Sequence, residues 1–136
     1  MTLQNYHNTL SCKFTVTWNI HKAFIAQHGY ALDVFTLLSS ISWVVGTISQ
    51  AYYAAGNAFQ DAFVQSRRSL GLAAHSVNLG IIDDVGYISQ NETLSSRVQS
   101  RSGLPRIGEA QLHEMLRLSV AQQTAGPNQE RAITDV

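Results

Sequence analysis

The fold is decided by residues 34–79, which read VFTLLSSISWVVGTISQAYYAAGNAFQDAFVQSRRSLGLAAHSVNL. Residues 34–38 form a short apolar run with β-branched and aromatic side chains, which predicts a strand buried on both faces. Residues 50–70 have the spacing of a long helix, and Gly71 follows where a helix commonly ends. Residues 74–79 predict a second buried strand. This order predicts a βαβ unit with two parallel strands.

Helical spacing recurs on both sides of this unit. Residues 13–28 predict a helix before the first strand, and residues 109–121 predict a final helix after the second. Between the elements, residues 41–49 have the composition of a loop, and residues 92–100 predict a short amphipathic helix. The expected fold class is therefore α/β, a partial Rossmann-like, doubly wound parallel sheet with flanking helices.

The two ends of the chain differ from its centre. Residues 1–12 are polar and lack the basic start and apolar core of a signal peptide, so they are predicted to be an N-terminal extension. Residues 122–136 are polar and include Gly126 and Pro127, which predicts a disordered tail or linker. The structured domain is expected to span residues 13–121.

Composition excludes several classes of partner. The nine basic residues equal the nine acidic residues, and no run of Lys or Arg occurs, so neither nucleic acid nor an acidic membrane surface is an expected partner. The longest apolar stretch, residues 34–48, is interrupted by serines and is shorter than the ~20 residues a membrane helix needs. The single cysteine, Cys12, cannot form an internal disulfide, which favours a cytoplasmic location.

The remaining aromatic and histidine residues favour structural roles. Trp18, Phe35 and Phe59 are expected in the core. Histidines such as His21 and His75 form no i, i+4 pair and are expected at the surface or at helix ends, so no metal site is predicted.

A group of polar residues lies where the first strand meets the long helix. Tyr53 and Asn57 are one helical turn apart and project from the same face. Ser40 precedes Tyr53 by thirteen residues, at the end of the predicted strand. Ligands of open α/β sheets bind beyond the carboxyl ends of the strands. Ser39 points to the opposite side of the strand, so Ser40 is the preferred candidate.

Residues 34–87 consist of the run quoted above followed by GIIDDVGY. This stretch resembles the ketoreductase domain of fungal highly reducing polyketide synthases. These domains belong to the short-chain dehydrogenase/reductase superfamily. KFTVTWNIH, residues 13–21, resembles the helix that precedes this stretch. The resemblance weakens after Tyr87 and ends near Leu118. Trp43 stands where these domains usually have a small residue.

The resemblance implies a catalytic tetrad and a reaction. Tyr53 matches the proton donor, Ser40 the residue that bonds the substrate carbonyl, and Asn57 and Lys13 the other two members. Tyr53 and Lys13 would also bind the cofactor, NADPH. The implied reaction reduces a β-ketoacyl thioester, presented on an acyl carrier protein, to the β-hydroxyacyl thioester.

The sequence lacks one expected motif. No two of the nine glycines are two residues apart, so there is no Gly-x-Gly-x-x-Gly turn to bind the cofactor phosphates. The resemblance therefore predicts the catalytic C-terminal half of a ketoreductase, with the missing N-terminal half or a homo-oligomer as partner. An inactive fragment, or a module for interaction or structure, is the alternative. A freestanding short-chain dehydrogenase is disfavoured. Such enzymes carry their catalytic lysine four residues after the tyrosine, and this chain has Asn57 at that position.

Overall fold

The computed structural model describes residues 3–28, 32–46, 51–82 and 106–125 of the 136-residue chain. These segments contain five helices and four strands. Their bounds are α1 Leu3–Lys13, α2 Thr15–His28, β1 Thr36–Ser40, α3 Ser42–Val45, α4 Ala51–Ser69, β2 His75–Leu79, β3 Ile81–Ile82, β4 Arg106–Ile107 and α5 Glu109–Thr124. None of the described helices is long and apolar enough to cross a membrane.

The central unit is a parallel βαβ crossover, as the sequence predicts. Strands β1 and β2 pair in parallel from Thr36↔His75 to Ser40↔Leu79, and α4 connects them. Helix α4 ends before Gly71, whose φ of 72° is a conformation that glycine adopts without steric cost. A second parallel pair, β3 with β4, follows. The predicted α/β class with parallel strands is confirmed.

The hydrophobic core lies between α4 and one face of the β1–β2 pair. Phe63 and Val64 of α4 pack against side chains that precede or belong to the strands, and each is at most 5% exposed. Because successive strand residues point to opposite faces, Leu37 faces α4 while Thr36 faces α5. The pair therefore has helices on both sides, and its carboxyl ends open toward α3 and the start of α4.

The first strand lies two residues later than predicted. The apolar run 34–38 contributes Phe35 to the core, but the paired segment is Thr36–Ser40, because its backbone pairs with β2 through Ser40. Leu38 is 48% exposed, so the strand is not covered on both faces along its whole length. The run of apolar residues identified the strand, but it did not predict which residues pair with β2 or which side chains are buried.

The predicted helix 13–28 is interrupted near its start. A turn at Phe14 separates α1 from α2, although Phe14 N still donates to Leu10 O at 2.7 Å. The ring of Phe14 stacks on that of Phe59, with centroids 3.9 Å apart. Helix α1 also includes most of the predicted extension, residues 1–12. The predicted loop 41–49 contains the short helix α3.

The final helix extends beyond its predicted end. Helix α5 continues to Thr124, three residues past residue 121, because Gln123 bonds to the strand region. Its side-chain oxygen accepts from Phe35 N at 2.8 Å, and its side-chain nitrogen donates to Thr36 Oγ1 at 3.0 Å. The predicted helix 92–100 and the remaining tail lie outside the described residues.

Three side chains differ from their predicted environments, and one of them is His75, which is half-buried in β2 rather than at the surface or a helix end. Trp18 is 43% exposed rather than fully in the core, with its ring packed edge-on against Phe63. His21 is only 8% exposed rather than at the surface, because it lies under α4 beside Arg67. Phe35 is 7% exposed and Phe59 packs against the core, as predicted.

Candidate active site

The candidate site is built on the face of α4 that bears Tyr53 and Asn57. Asn57 is fully buried, and its side-chain nitrogen donates to the Tyr53 main-chain oxygen at 2.8 Å. Its side-chain oxygen, Oδ1, is buried and has no hydrogen-bond partner among the described residues. A buried acceptor without a donor is costly, so the position of this oxygen is unfavourable among the described residues alone.

Lys13 reaches this face from the end of α1. Its ammonium nitrogen Nζ lies 5.8 Å from the centroid of the Tyr53 ring. Nζ donates to Leu38 O at 2.7 Å and to Gln60 Oε1 at 2.9 Å. Burial lowers the pKa of Lys13 below that of a free lysine, while the charges of Cys12 and Asp61 act in the opposite direction. The two hydrogen bonds hold Lys13 Nζ beside the Tyr53 ring.

Gly56 allows the lysine stem to pass close to α4. A Cβ atom at Gly56 would lie 3.0 Å from Lys13 Cγ and 3.1 Å from Lys13 Cβ, closer than ordinary van der Waals contact. Glycine inside a helix lowers helix stability by roughly 1 kcal/mol relative to alanine. Here its small size lets α1 and α4 approach closely enough for Lys13 to reach Tyr53.

The two serines at the end of β1 have separate partners. Ser39 Oγ donates to Asn57 O at 3.2 Å, so it faces α4. Ser40 Oγ donates to Leu79 O at 3.2 Å and accepts from Ser42 N at 3.2 Å. Their opposite directions agree with the alternation of strand side chains. Ser40 is 6% exposed and lies at the carboxyl end of the strand.

The structure thus brings Lys13 to the Tyr53 ring and bonds the Asn57 side chain to the Tyr53 main chain, while Ser40 bonds to Leu79 O and Ser42 N at the strand end. Sequence reasoning missed two residues of this region, Gln60 and Gly56. Gln60 had a detectable signal, because it lies three residues after Asn57 on the same helical face. Gly56 had none, because its importance depends on how closely another helix approaches.

Trp43, the bulky residue after the strand, is held against α4. Its indole Nε1 donates to Asp61 Oδ2 at 2.8 Å and contacts Asn78 Oδ1 at 3.3 Å. Asn78 also donates to Asp61 Oδ2, at 3.0 Å. Asp61 lies eight residues after Tyr53, about 12 Å along the helix axis. These bonds hold the indole nitrogen end two turns away from Tyr53.

Comparison with known sequences shows which proteins this chain resembles. The family model described as "KR domain" matches residues 1–84. A highly reducing polyketide synthase of Eupenicillium brefeldianum is 46% identical over 123 residues, which are 90% of this chain and 5% of that protein. The synthase apmlA of Arthrinium phaeospermum is 44% identical over 131 residues, 96% of this chain and 5% of that protein. The chain therefore spans about one twentieth of these relatives.

Solved structures show the same fold. An A1-type ketoreductase superposes with a TM-score of 0.77 at 30% identity, over 90% of this chain and 25% of that chain. A-type ketoreductases from a modular polyketide synthase give a TM-score of 0.76 at 31% identity, with the same coverage. The parallel βαβ unit and its helices thus have the arrangement found in ketoreductases.

Proposed function

Because the chain belongs to the KR domain family, we propose that it forms the catalytic part of a ketoreductase that reduces a β-ketoacyl thioester to a β-hydroxyacyl thioester during polyketide synthesis. The observation that carries the proposal is the position of Lys13 Nζ, 5.8 Å from the Tyr53 ring centroid and bonded to Leu38 O and Gln60 Oε1. The substrate would be a polyketide chain on an acyl carrier protein.

The residues fit the nicotinamide end of NADPH. Lys13 and Tyr53 offer an ammonium and a phenol hydroxyl, which suit the hydroxyl groups of a ribose. When bound, NADPH supplies the hydride that reduces the ketone carbon. The chain contains no Gly-x-Gly-x-x-Gly turn, so the phosphates of the cofactor require residues from elsewhere in the ketoreductase.

The proposed chemistry assigns a role to each side chain. As the ketone is reduced, negative charge develops on its oxygen, where the hydroxyls of Ser40 and Tyr53 would donate hydrogen bonds. Tyr53 then transfers its proton to that oxygen, which completes the alcohol. The Lys13 ammonium stabilises the negative charge left on the Tyr53 oxygen. Asn57 fixes the first turn of α4 through its bond to Tyr53 O.

The proposal is tested by comparing Tyr53→Phe with Tyr52→Phe in a ketoreductase that contains this sequence. NADPH binding is followed by fluorescence, and turnover by reduction of a β-ketoacyl thioester. We expect Tyr53→Phe to lower kcat by at least about 100-fold, because the proton donor is lost. Tyr52→Phe is the matched control and should keep most of the activity. Equal activity in both variants would contradict the proposal.

A non-catalytic interaction module is the second candidate. The observation in its favour is an apolar stripe on α2, in which Val16 is 46% and Ile20 41% exposed. Such a stripe suits contact with another protein surface. The two candidates differ in cofactor binding. A module without catalytic use should show no saturable NADPH binding even when the rest of the ketoreductase is present.

A further inference from the structure

Gln60 is a buried polar residue on the catalytic face of α4. It is 6% exposed and lies seven residues after Tyr53, about two helical turns along the same helix. Its side-chain oxygen accepts a hydrogen bond from Lys13 Nζ at 2.9 Å. This bond joins residues 47 apart in sequence. The bond therefore places a neutral amide oxygen against the ammonium to which the proposed function gives a catalytic role.

The ammonium of Lys13 is held from two directions. Leu38 O, a main-chain atom of β1, accepts at 2.7 Å, and Gln60 Oε1, a side-chain atom of α4, accepts at 2.9 Å. An ammonium has three hydrogens, so these two bonds leave one for the region of Tyr53. Two acceptors on different elements fix the position of Nζ more tightly than the flexible lysine stem alone would do.

The chemical identity of the second acceptor matters. An amide oxygen accepts a hydrogen bond without adding charge, so the positive charge of Lys13 remains available to Tyr53. A carboxylate in the same place would neutralise that charge, and an alkyl side chain would remove one of the two acceptors that hold the half-buried ammonium. Burial already lowers the pKa of Lys13, so removal of an acceptor would favour the neutral amine further.

We propose that Gln60 is a positioning residue that holds the Lys13 ammonium against Tyr53 while leaving its charge unneutralised. The inference rests on the function proposed for Lys13 and Tyr53, and it adds a residue that the tetrad does not include. Gln60 does not touch the reacting atoms and acts through Lys13. Asp61 and Cys12 are the other groups whose charges bear on the ammonium, and they are unchanged in the variants below.

The chain offers a direct test, because Lys13 and Lys22 are its two lysines. Lysine labelled with 15N and 13C allows each ammonium to be titrated by NMR, with Lys22→Arg for assignment. We expect Gln60→Leu to lower the pKa of Lys13 by about one pH unit and Gln60→Glu to raise it by a similar amount. Lys22 should titrate unchanged in both. Gln65→Leu, an exposed position of α4, is the matched control.

The Lys13 pKa is expected to change in opposite directions in Gln60→Leu and Gln60→Glu. Either variant alone therefore tests the proposal if the other fails to fold. The proposal is overturned if Lys13 titrates alike in the wild type and in each folded variant. It is also overturned if Lys13 and Lys22 shift together, since that would indicate a general change in structure.

A second measurement separates this inference from the proposed function. In the complete ketoreductase, both Gln60 variants should lower kcat about tenfold or more with little change in KM, and should shift the pH–rate profile. An unchanged profile in an active enzyme contradicts the positioning role. If the titration of Lys13 moves as expected but the wild-type ketoreductase reduces no thioester, the positioning role stands and the proposed function fails.

Discussion

At the scale of single residues, Arg67 is a cation placed inside the fold. It is 3% exposed, its guanidinium carbon lies 4.1 Å from the centroid of the Phe35 ring, and its Nε donates to Ala73 O at 3.2 Å. Its Nη1 contacts His21 Nδ1 at 2.6 Å, which requires His21 to accept on that nitrogen. The contact is therefore compatible only with a neutral imidazole.

His21 should make the stability of the chain depend on pH. Burial, with help from Arg67 and Lys22, lowers the pKa of His21 below its ordinary value of 6.5. The unfolded state then binds the proton more readily than the folded state, so the free energy of unfolding falls as the pH drops below about 6.5. Burial lowers the pKa of His75 as well, with the same sign.

The measurement is urea unfolding at several values between about pH 5 and pH 8. We expect His21→Gln, which retains an acceptor for Arg67, to reduce the dependence on pH. His113→Gln is the control, because that side chain is 70% exposed. A pH dependence that is the same in the wild type and in both variants would show that His21 does not cause it.

At the scale of elements, α5 is fixed to β1 by polar contacts. Thr36 Oγ1 and Ser119 Oγ lie 2.8 Å apart, and Gln123 bonds to both Phe35 N and Thr36 Oγ1. Ser119 is fully buried. The glutamine thus satisfies a main-chain amide just before β1, on the opposite side of the sheet from the core with α4. The attachment of α5 depends on the bonds of Gln123 and Ser119 as well as on packing.

Gln123→Leu should destabilise the fold even though it adds apolar surface. The Phe35 amide would lose its acceptor, and an unpaired buried donor costs about 1–3 kcal/mol. The midpoint of urea unfolding, followed by circular dichroism, should fall by a corresponding amount. Gln122→Leu, one residue earlier in the same helix, should have a smaller effect. Equal midpoints for the two variants would contradict the role given to Gln123.

At the scale of the whole molecule, α2 buries two polar residues and exposes several apolar ones. Thr17 is 3% and His21 8% exposed, whereas Val16 and Ile20 are more than 40% exposed. The carbonyl of Leu38 is bonded by Lys13 rather than by another described strand. An exposed apolar helix face and a strand edge that pairs with no other described strand each favour association with other protein surfaces.

We therefore expect the chain by itself to self-associate, which sedimentation velocity over a range of concentrations would detect. The double variant Val16→Lys with Ile20→Lys should shift the distribution toward monomer, because two charges replace the apolar contact. Thr15→Lys with Asn19→Lys adds the same charge at the same spacing and is the control. A wild type that sediments as a monomer at every concentration would contradict the expectation.

The sequence by itself determined the order strand, helix, strand and the pairing of Tyr53 with Asn57 on one helical face. Both follow from local spacing, which the backbone geometry of helices and strands converts directly into direction. The resemblance to ketoreductases, now confirmed as family membership, added the assignment of Lys13. Its role and those of the other tetrad members stay predictions until the variants are measured.

Only the tertiary structure decided which groups meet. The bonds of Lys13 to Leu38 O and Gln60 join residues 25 and 47 apart, and the bond of Gln123 to Phe35 N spans 88 residues. The structure also decided which face of α2 is buried. Local periodicity holds no information on these points, because they depend on how elements distant in sequence pack around the βαβ unit.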